Sequence, residues 1–274
     1  MSSFNSIPKR WLVIGGGPCG IGSVARLLDF GVEVTWVDQS FSIGRMGEYY
    51  RNVPSNTLNG DLINGFIIPR ELCFKDVEQQ VREKGKLVMS ELELERCYDL
   101  GLFVSTLEEM NTMLTSKVEC VKGTVTLINK ENVSGDWCVN VSTDEGVKAL
   151  LVDVVLVCCG SAPTQLSSLQ LPKHELSKPF AKLDGFILHN LDFMVDPVHV
   201  RNYLQSSHYR ASTAEATEGT TALAGSQDTW VVLGNSHSAM LVIMNLYESG
   251  VRNIINFHRS ELKFMHVTEE GWKR

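Results

Sequence analysis

A chain of 274 residues with 43% hydrophobic and 21% charged content can bury a sizeable core and ordinarily forms one or two domains. Its net charge of −7, without a long basic run, argues against a nucleic-acid partner. Met1 to Arg10 lacks an apolar core of signal-peptide length and no stretch is long enough to span a bilayer, so the expectation is a cytoplasmic protein with no membrane contact.

The first predicted element is the strand Trp11-Leu12-Val13-Ile14, an apolar run of the kind buried in parallel sheets. It enters Gly15-Gly16-Gly17-Pro18-Cys19-Gly20, which fits G-x-G-x-x-G in phase. In that pattern Gly15 permits the tight turn, Gly17 lets a phosphate approach the backbone, and Gly20 lets the helix pack closely on the strand. Ile21, Val24, Ala25 and Leu28 recur at helical spacing, and Gly31 is a natural helix stop. Val32–Val37 follows as a second strand and ends at Asp38, whose carboxylate can accept from both hydroxyls of a ribose. A Gly-rich loop in some other α/β protein is the alternative, but strand, turn, helix and acid in register favour a dinucleotide with its pyrophosphate on the helix N-terminus.

Phe41 to Thr57 is rich in Gly, Tyr, Asn and Pro, which is loop chemistry. From about Asp61 to Leu100 the pattern is mostly helical, except that Glu91, Glu93 and Glu95 alternate with Leu92 and Leu94 like a short strand with a solvated acidic face. Lys117–Lys122, Thr124–Asn129 and Trp137–Ser142, punctuated by Gly123 and Ser134-Gly135-Asp136, predict a small antiparallel meander over about 117–150. Val152–Cys159 predicts another buried strand, ending in Gly160-Ser161-Ala162-Pro163. Ser206 to Gln227 is Ser-, Thr-, Ala- and Gly-rich without apolar periodicity and reads as a flexible insertion.

Residues 230–256 then repeat residues 11–37. A shift of 219 positions puts Trp11 on Trp230, Gly15 on Gly234, Gly31 on Gly250 and Val32 on Val251. The second turn, Gly234-Asn235-Ser236-His237-Ser238-Ala239, carries Ser236 and Ala239 in place of the second and third glycines. The Ser236 hydroxyl could donate to a phosphate, with Ser238 beside it. The next strand ends in Ile255-Asn256-Phe257-His258-Arg259, a cation where the first copy has Asp38. That exchange suits a 2′-phosphate, as in NADP, with a solvated Arg259 as the alternative. Two such units in one chain suggest electron transfer between two nucleotides.

The seven cysteines, Cys19, Cys73, Cys97, Cys120, Cys138, Cys158 and Cys159, include no C-x-x-C pair. A dithiol that carries electrons from a flavin to a disulfide needs such spacing, so disulfide reduction is not expected. Cys158-Cys159 lies in an apolar run, where structural buried thiols are the usual outcome. His and Cys are too scattered for a metal site, and none is expected.

The order of motifs resembles the two-dinucleotide-domain flavoproteins, and within them the flavin-containing monooxygenases with their N-hydroxylating and Baeyer–Villiger relatives. Gly44-Arg45-Met46-Gly47-Glu48-Tyr49-Tyr50 is similar to that family's Gly-Gly-x-Trp segment, and Val53-Pro54-Ser55-Asn56-Thr57 to the stretch that sets an Asn beside the flavin ring. Val157-Cys158-Cys159-Gly160-Ser161 stands where the family has an Ala-Thr-Gly-type motif, and Phe186–Asn190 resembles the segment before its NADPH domain. The resemblance implies an α/β architecture. A Rossmann-like FAD-binding domain with a β-meander occupies residues 1–190, a connector 191–228, and an incomplete Rossmann-like NAD(P)-binding domain 229–274. It implies FAD held at Gly15, Gly17, Pro18, Cys19, Gly20 and Asp38, with Gly44, Arg45, Gly47 and Gly160 nearby. It implies NADP at Gly234, Ser236, Ser238 and Arg259.

The activity so implied is hydride transfer from NADPH to FAD and then oxygen activation on a small-molecule substrate, with Asn56 as the catalytic polar group. Asn56 as a plain turn former beside Pro54 is the alternative. The family's C-terminal Gly-Asp segment and the later strands of its second domain have no counterpart here. The expectation is therefore a C-terminally truncated member, a fragment of a longer product, or a variant that obtains the missing parts from a second copy or a partner chain. An oxidoreductase that does not insert oxygen, and a non-catalytic nucleotide-binding or redox-sensing protein, are the competing readings.

Overall fold

The structure, a computed structural model, describes residues 10–66, 73–131, 135–162, 189–206, 228–260, 266–268 and 271–273. Two compact units divide the chain, Met1–Ala162 and Pro163–Arg274.

The first unit is built on a parallel sheet of order β3-β2-β1-β7, formed by β1 (Arg10–Ile14), β2 (Glu33–Asp38), β3 (Glu119–Lys122) and β7 (Val154–Val157). Both faces of this sheet are covered, which explains why β1 reads as an unbroken apolar run. Val13, Val34 and Trp36 point to one face, where they pack with Ile21, Val24 and Leu27 of α1 (Pro18–Asp29). Val77 and Val81 of α4 (Cys73–Glu83) and Phe103, Leu107 and Leu114 of α5 (Leu100–Thr115) complete that layer. Leu12, Ile14, Val37 and Val121 point to the other face and meet Val139, Val141, Leu150 and Val152. Those last four belong to an antiparallel meander of β4 (Thr124–Lys130), β5 (Trp137–Thr143) and β6 (Gly146–Val152), order β4-β5-β6. Each such Val or Leu taken fully out of water contributes about 1.5–3 kcal/mol, so the alternation along β1 and β2 fixes which layer goes where.

Several expectations are corrected. Lys117–Lys122 is not part of the meander: Glu119–Lys122 pairs in parallel with Thr35–Asp38 of β2. The chain leaves that sheet for the meander at Gly123, where a Cβ would come within 2.5 Å of the Ser142 carbonyl oxygen and 2.8 Å of Val141 Cγ1. The buried strand expected over Val152–Cys159 is two elements. They join at Asp153, whose carboxylate accepts from the Arg10 amide and guanidinium at 2.9 Å each, and β7 is only half-buried. The loop expected over Phe41–Thr57 contains a short helix, α2 (Gly44–Tyr49). Residues 91–95 form no strand. A 3-10 turn, Met89–Glu91, leads into a second turn at Leu94-Glu95, and the carbonyls of Leu94 and Arg96 accept from Gly60 and Asn59, at the start of α3 (Asn59–Phe66). Finally, α5 is a helix that the sequence reading does not assign.

The second unit contains α6 (Leu191–Met194), α7 (Pro197–Gln205), β8 (Trp230–Leu233), α8 (His237–Glu248), β9 (Ile254–Phe257) and a hairpin of β10 (His266–Thr268) and β11 (Gly271–Lys273). β8 and β9 pair in parallel, and the buried Asn245 of α8 donates to the carbonyls of Met194 and Val195 at 3.1 and 2.9 Å. No helix among the described residues is long and apolar enough to cross a membrane. The expected insertion over Ser206–Gln227, beyond Ser206 itself, and most of Phe186–Asn190 lie outside the described residues.

The internal repeat is real in three dimensions. Gly15 N–H donates to the Val37 carbonyl and Gly234 N–H to the Phe257 carbonyl, each at 2.8 Å. Helix ends match too: Val32 donates to Leu27 and Val251 to Leu246. The sheet registers Val13 with Trp36 and Val232 with Asn256, so the offset is 219 up to Val251 and 220 beyond it. One extra residue lies between Val251 and β9.

Candidate functional site: the glycine corner of the first unit

The carboxyl ends of β1, β2 and β7 meet α1 and α2 at one corner, and most of the predicted site residues stand there. Gly15 has φ of +113°, a left-handed conformation that a side chain resists, and a Cβ on it would run into the Cys158 carbonyl oxygen of β7's end. A Cβ on Gly20 would overlap the Gly15 carbonyl oxygen, which already accepts from Trp36 Nε1 at 2.9 Å. These two glycines are therefore demanded by packing between turn, helix and neighbouring strands. Gly17 is different. Its Cβ position is open, with the Ile43 carbonyl oxygen 4.0 Å away as the nearest atom. It is also the N-cap of α1, without a side-chain cap and without an acidic residue in the first turn, with Pro18 as the first helical residue. A 12-residue helix thus presents first-turn amides without an acceptor among the described residues, and the positive end of its dipole, over an open glycine.

Asp38 closes the corner. Its Oδ2 accepts from the Gly16 amide at 2.6 Å, and its Oδ1 from the amides of Ser40 and Phe41 at 2.9 and 2.7 Å. A Cβ on Gly16 would come within 2.7 Å of the Asp38 carboxyl carbon, so this glycine too is required. A carboxylate offers about four lone-pair sites, and three of Asp38's are taken by backbone. One remains, on Oδ2. The bidentate grip on a ribose expected from the sequence would therefore need one of these amides to be released.

Phe41, Ile43 and Gly44 follow with φ of +53°, +65° and +57°, and Ile43 is buried in the helical core. A β-branched residue in this region is strained by about 1–3 kcal/mol, compensated by its surroundings. The loop brings Gly44 against the first turn, where its Cβ would stand 3.3 Å from Gly17 Cα. Gly47 is buried, and a Cβ there would meet the Ser42 carbonyl. Arg45, in contrast, lays its guanidinium over the Tyr49 ring at 5.6 Å. Asn56 is exposed in a bend between Ser55, whose amide donates to the Tyr98 carbonyl, and Asn59, whose side chain donates to the Met89 carbonyl. Gly160 is exposed with φ of +62° beyond β7.

Three features escape the sequence reading. Trp36, an unremarked member of the second strand, holds the turn through its indole N–H. A polar cleft of ≈ 380 Å³, lined by Gln39, Lys122, Gly123, Thr124, Ser142, Thr143 and Asp144, opens one residue beyond Asp38. Cys158 is half-buried and Cys159 exposed, against the expectation of buried structural thiols. Cys158 Sγ lies 3.5 Å from Cys19 Sγ and 3.6 Å from Ser23 Oγ. Burial pushes the Cys158 thiol above its ordinary value, the Ser23 contact opposing.

In the second unit Gly234 has φ of +119°, Ser236 caps α8 without a side-chain hydrogen bond, and Ser238 is half-buried in its first turn. Asn256 Nδ2 donates to the Gly234 carbonyl at 2.8 Å, the role Trp36 plays in the first copy. The register places His258, not Arg259, at the position of Asp38. Its Nδ1–H donates to the Ser260 carbonyl at 2.7 Å, which also accepts from Asn235. Arg259 is exposed one residue further on.

No protein-family model matches the sequence. A protein described as monooxygenase AgnR1 from Paecilomyces divaricatus is 26% identical over 244 residues, 86% of this chain and 54% of that protein. Among solved structures, the ornithine N-hydroxylase of Kutzneria sp. 744, determined with reduced FAD, NADP+ and L-ornithine, superposes with a TM-score of 0.60. That match is 17% identical and covers 91% of this chain and 53% of that one. The chain has the fold of the FAD- and NAD(P)-binding oxidoreductases. The bacillithiol disulfide reductase of Bacillus cereus shares it, with a TM-score of 0.55 at 14% identity over 93% of this chain and 60% of that one. The chain thus spans about half the length of the curated relative it matches.

Proposed function

We propose that the chain is an FAD-dependent, NADPH-using oxidoreductase of the monooxygenase kind, acting on a small molecule. The observation that carries this reading is the glycine corner: an uncapped helix N-terminus over Gly17, with a carboxylate at the end of the next strand and a polar cleft beyond it. The fold it sits in and the monooxygenase relative at 26% identity add support. In this reading the amides of the first turn of α1, at Cys19 and Gly20, bind the pyrophosphate of FAD. Gly17, whose Cβ position is open, keeps its approach clear of a side chain. Asp38 takes one ribose hydroxyl on its remaining lone pair, and the cleft lined by Gln39, Lys122 and Thr143 receives the adenosine end. Asn56 supplies a hydrogen-bonding group toward the reacting ring.

On the second unit, the amides at the start of α8 bind a pyrophosphate, with Ser236 and Ser238 as hydroxyl donors. Arg259 provides the positive charge for a 2′-phosphate, with the His258 ring beside it, which favours NADPH over NADH. When bound, the flavin supplies the chemistry of accepting a hydride and activating oxygen; the protein supplies position and electrostatics.

The visible absorption spectrum of the purified chain, before and after anaerobic NADPH, tests both sites. A flavin band that bleaches with NADPH is the expected result. A colourless chain that does not take up added FAD overturns the reading. Oxygen consumption matched by product supports oxygen insertion, whereas turnover that needs an artificial acceptor assigns the chain to the other oxidoreductases.

A further inference from the structure

The first glycine turn and the end of β7 are far apart in sequence but carry cysteines whose sulfurs nearly touch. Cys19 is the second residue of α1 and is exposed; Cys158 is the first residue after β7 and is half-buried. Their Sγ atoms are 3.5 Å apart. Both backbones are held in place independently of the thiols. The Cys158 amide donates to the Ile14 carbonyl at 2.7 Å, and the Cys158 carbonyl abuts Gly15 so closely that no Cβ fits there. The α1 turn is fixed by the Gly20–Gly15 contact and by the Ile21 amide on the Gly17 carbonyl at 3.0 Å. The neighbouring thiol of Cys159 is directed elsewhere, toward the Ile14 carbonyl at 3.9 Å.

We propose that Cys19 and Cys158 form a reversible, peroxide-sensitive disulfide that ties the first turn of α1 to the carboxyl end of β7. A bond of about 2.05 Å requires the two sulfurs to close by roughly 1.5 Å, which side-chain rotation supplies more readily than movement of the anchored backbones. The exposed Cys19 meets the oxidant first. Its sulfur attacks one oxygen of hydrogen peroxide, the O–O bond breaks, a sulfenic acid forms and one water leaves. Cys158 then attacks the Cys19 sulfur, the S–O bond breaks, the S–S bond forms and a second water leaves. Two thiols are oxidised and one peroxide is reduced to two waters. A dithiol reductant reverses the bond by exchange. The pair lacks the C-x-x-C spacing because its proximity is made by the fold, not by the sequence. This assignment rests on sulfur geometry alone and stands or falls separately from the flavin reading.

The test is a thiol map of the purified chain. The reduced protein is treated with hydrogen peroxide, alkylated, digested and analysed by mass spectrometry, with and without subsequent dithiothreitol. The expected result is a cross-linked peptide pair joining Cys19 to Cys158, with alkylation of the two falling in one-to-one proportion and returning after dithiothreitol. Cys159→Ser retains the bridge. Cys158→Ser abolishes it and leaves Cys19 trapped by a sulfenic-acid reagent such as dimedone. A Cys158–Cys159 bridge as the main product overturns the proposal. So does full alkylation of Cys19 and Cys158 after the exposed Cys97 has been oxidised. Should a variant fail to fold, the peptide map of the unsubstituted chain still decides.

Discussion

Two glycines in the same helix, two residues apart, should respond to alanine with opposite signs. A methyl group at Gly20 overlaps the Gly15 carbonyl oxygen, and that oxygen is backbone, held by the Trp36 indole at 2.9 Å. Nothing flexible can give way, so the overpacking cost falls toward the upper part of the usual ~1–3 kcal/mol. The gain in helix propensity returns about 0.8–1 kcal/mol, leaving Gly20→Ala destabilised by about 2 kcal/mol. A methyl group at Gly22 meets nothing within 4 Å. Only the propensity gain applies there, so Gly22→Ala should be more stable by about 0.5–1 kcal/mol. In a unit of this size 1 kcal/mol moves the melting temperature by about 2–4 °C. Thermal unfolding should therefore place Gly20→Ala about 4–8 °C below the parent and Gly22→Ala about 1–4 °C above it. Flavin content should fall only in the former. Equal melting temperatures for the two variants, or a Gly20→Ala that melts with the parent, would refute the close packing of turn on helix from which the site is built.

Asp38→Asn keeps one acceptor oxygen but turns an NH2 toward a backbone donor. It should lose about 1–3 kcal/mol of stability and retain less FAD per chain, as measured by absorbance after gel filtration. Asn245→Ala leaves the carbonyls of Met194 and Val195 without that donor and should destabilise the second unit by about 1–3 kcal/mol, read by urea unfolding. The Lys148 ammonium, hydrogen-bonded at 2.8 Å, and then the Thr35 hydroxyl hold the Glu119 carboxyl below its ordinary value of 4.5. A lowered folded-state value means the contribution is present above 4.5 and lost as pH falls through that lowered value. Urea unfolding of Glu119→Gln and the parent should differ at neutral pH and converge on the acid side. A gap that widens on acidification would contradict the Glu119–Lys148 pairing.

The sequence carried the first strand–turn–helix–strand unit almost entire, because each element there obeys its own period and the glycines fall at the turn and at the helix stop. The same reasoning located the second copy from Gly234, Gly250 and the tryptophans. It misplaced residues whose partners lie far along the chain. Glu119–Lys122 has strand composition, but only pairing with β2 makes it part of the parallel sheet. The helix Leu100–Thr115 buries Thr106 and Glu109 among its apolar residues, Glu109 being neutralised by Lys84, and so shows no clean polar face. The extra residue after Val251 shifts the register of β9, so the counterpart of Asp38 is His258, neither the Phe257 that a uniform shift of 219 gives nor Arg259, the cation that stands one residue beyond. Cys19 and Cys158 meet across 139 residues of sequence, a distance at which no spacing rule operates.

The carboxylate of Asp38 acts as a placeholder. By binding the amides of Gly16, Ser40 and Phe41, it shapes the pocket before any ligand arrives, and a nucleotide that wants both of its oxygens must trade with the backbone. Under the proposed function, uptake is then an exchange, with a net gain smaller than the count of contacts suggests. Loading of the bare chain should respond to Ser40→Pro, which removes one of the competing amides, at a residue that would never be named as a ligand.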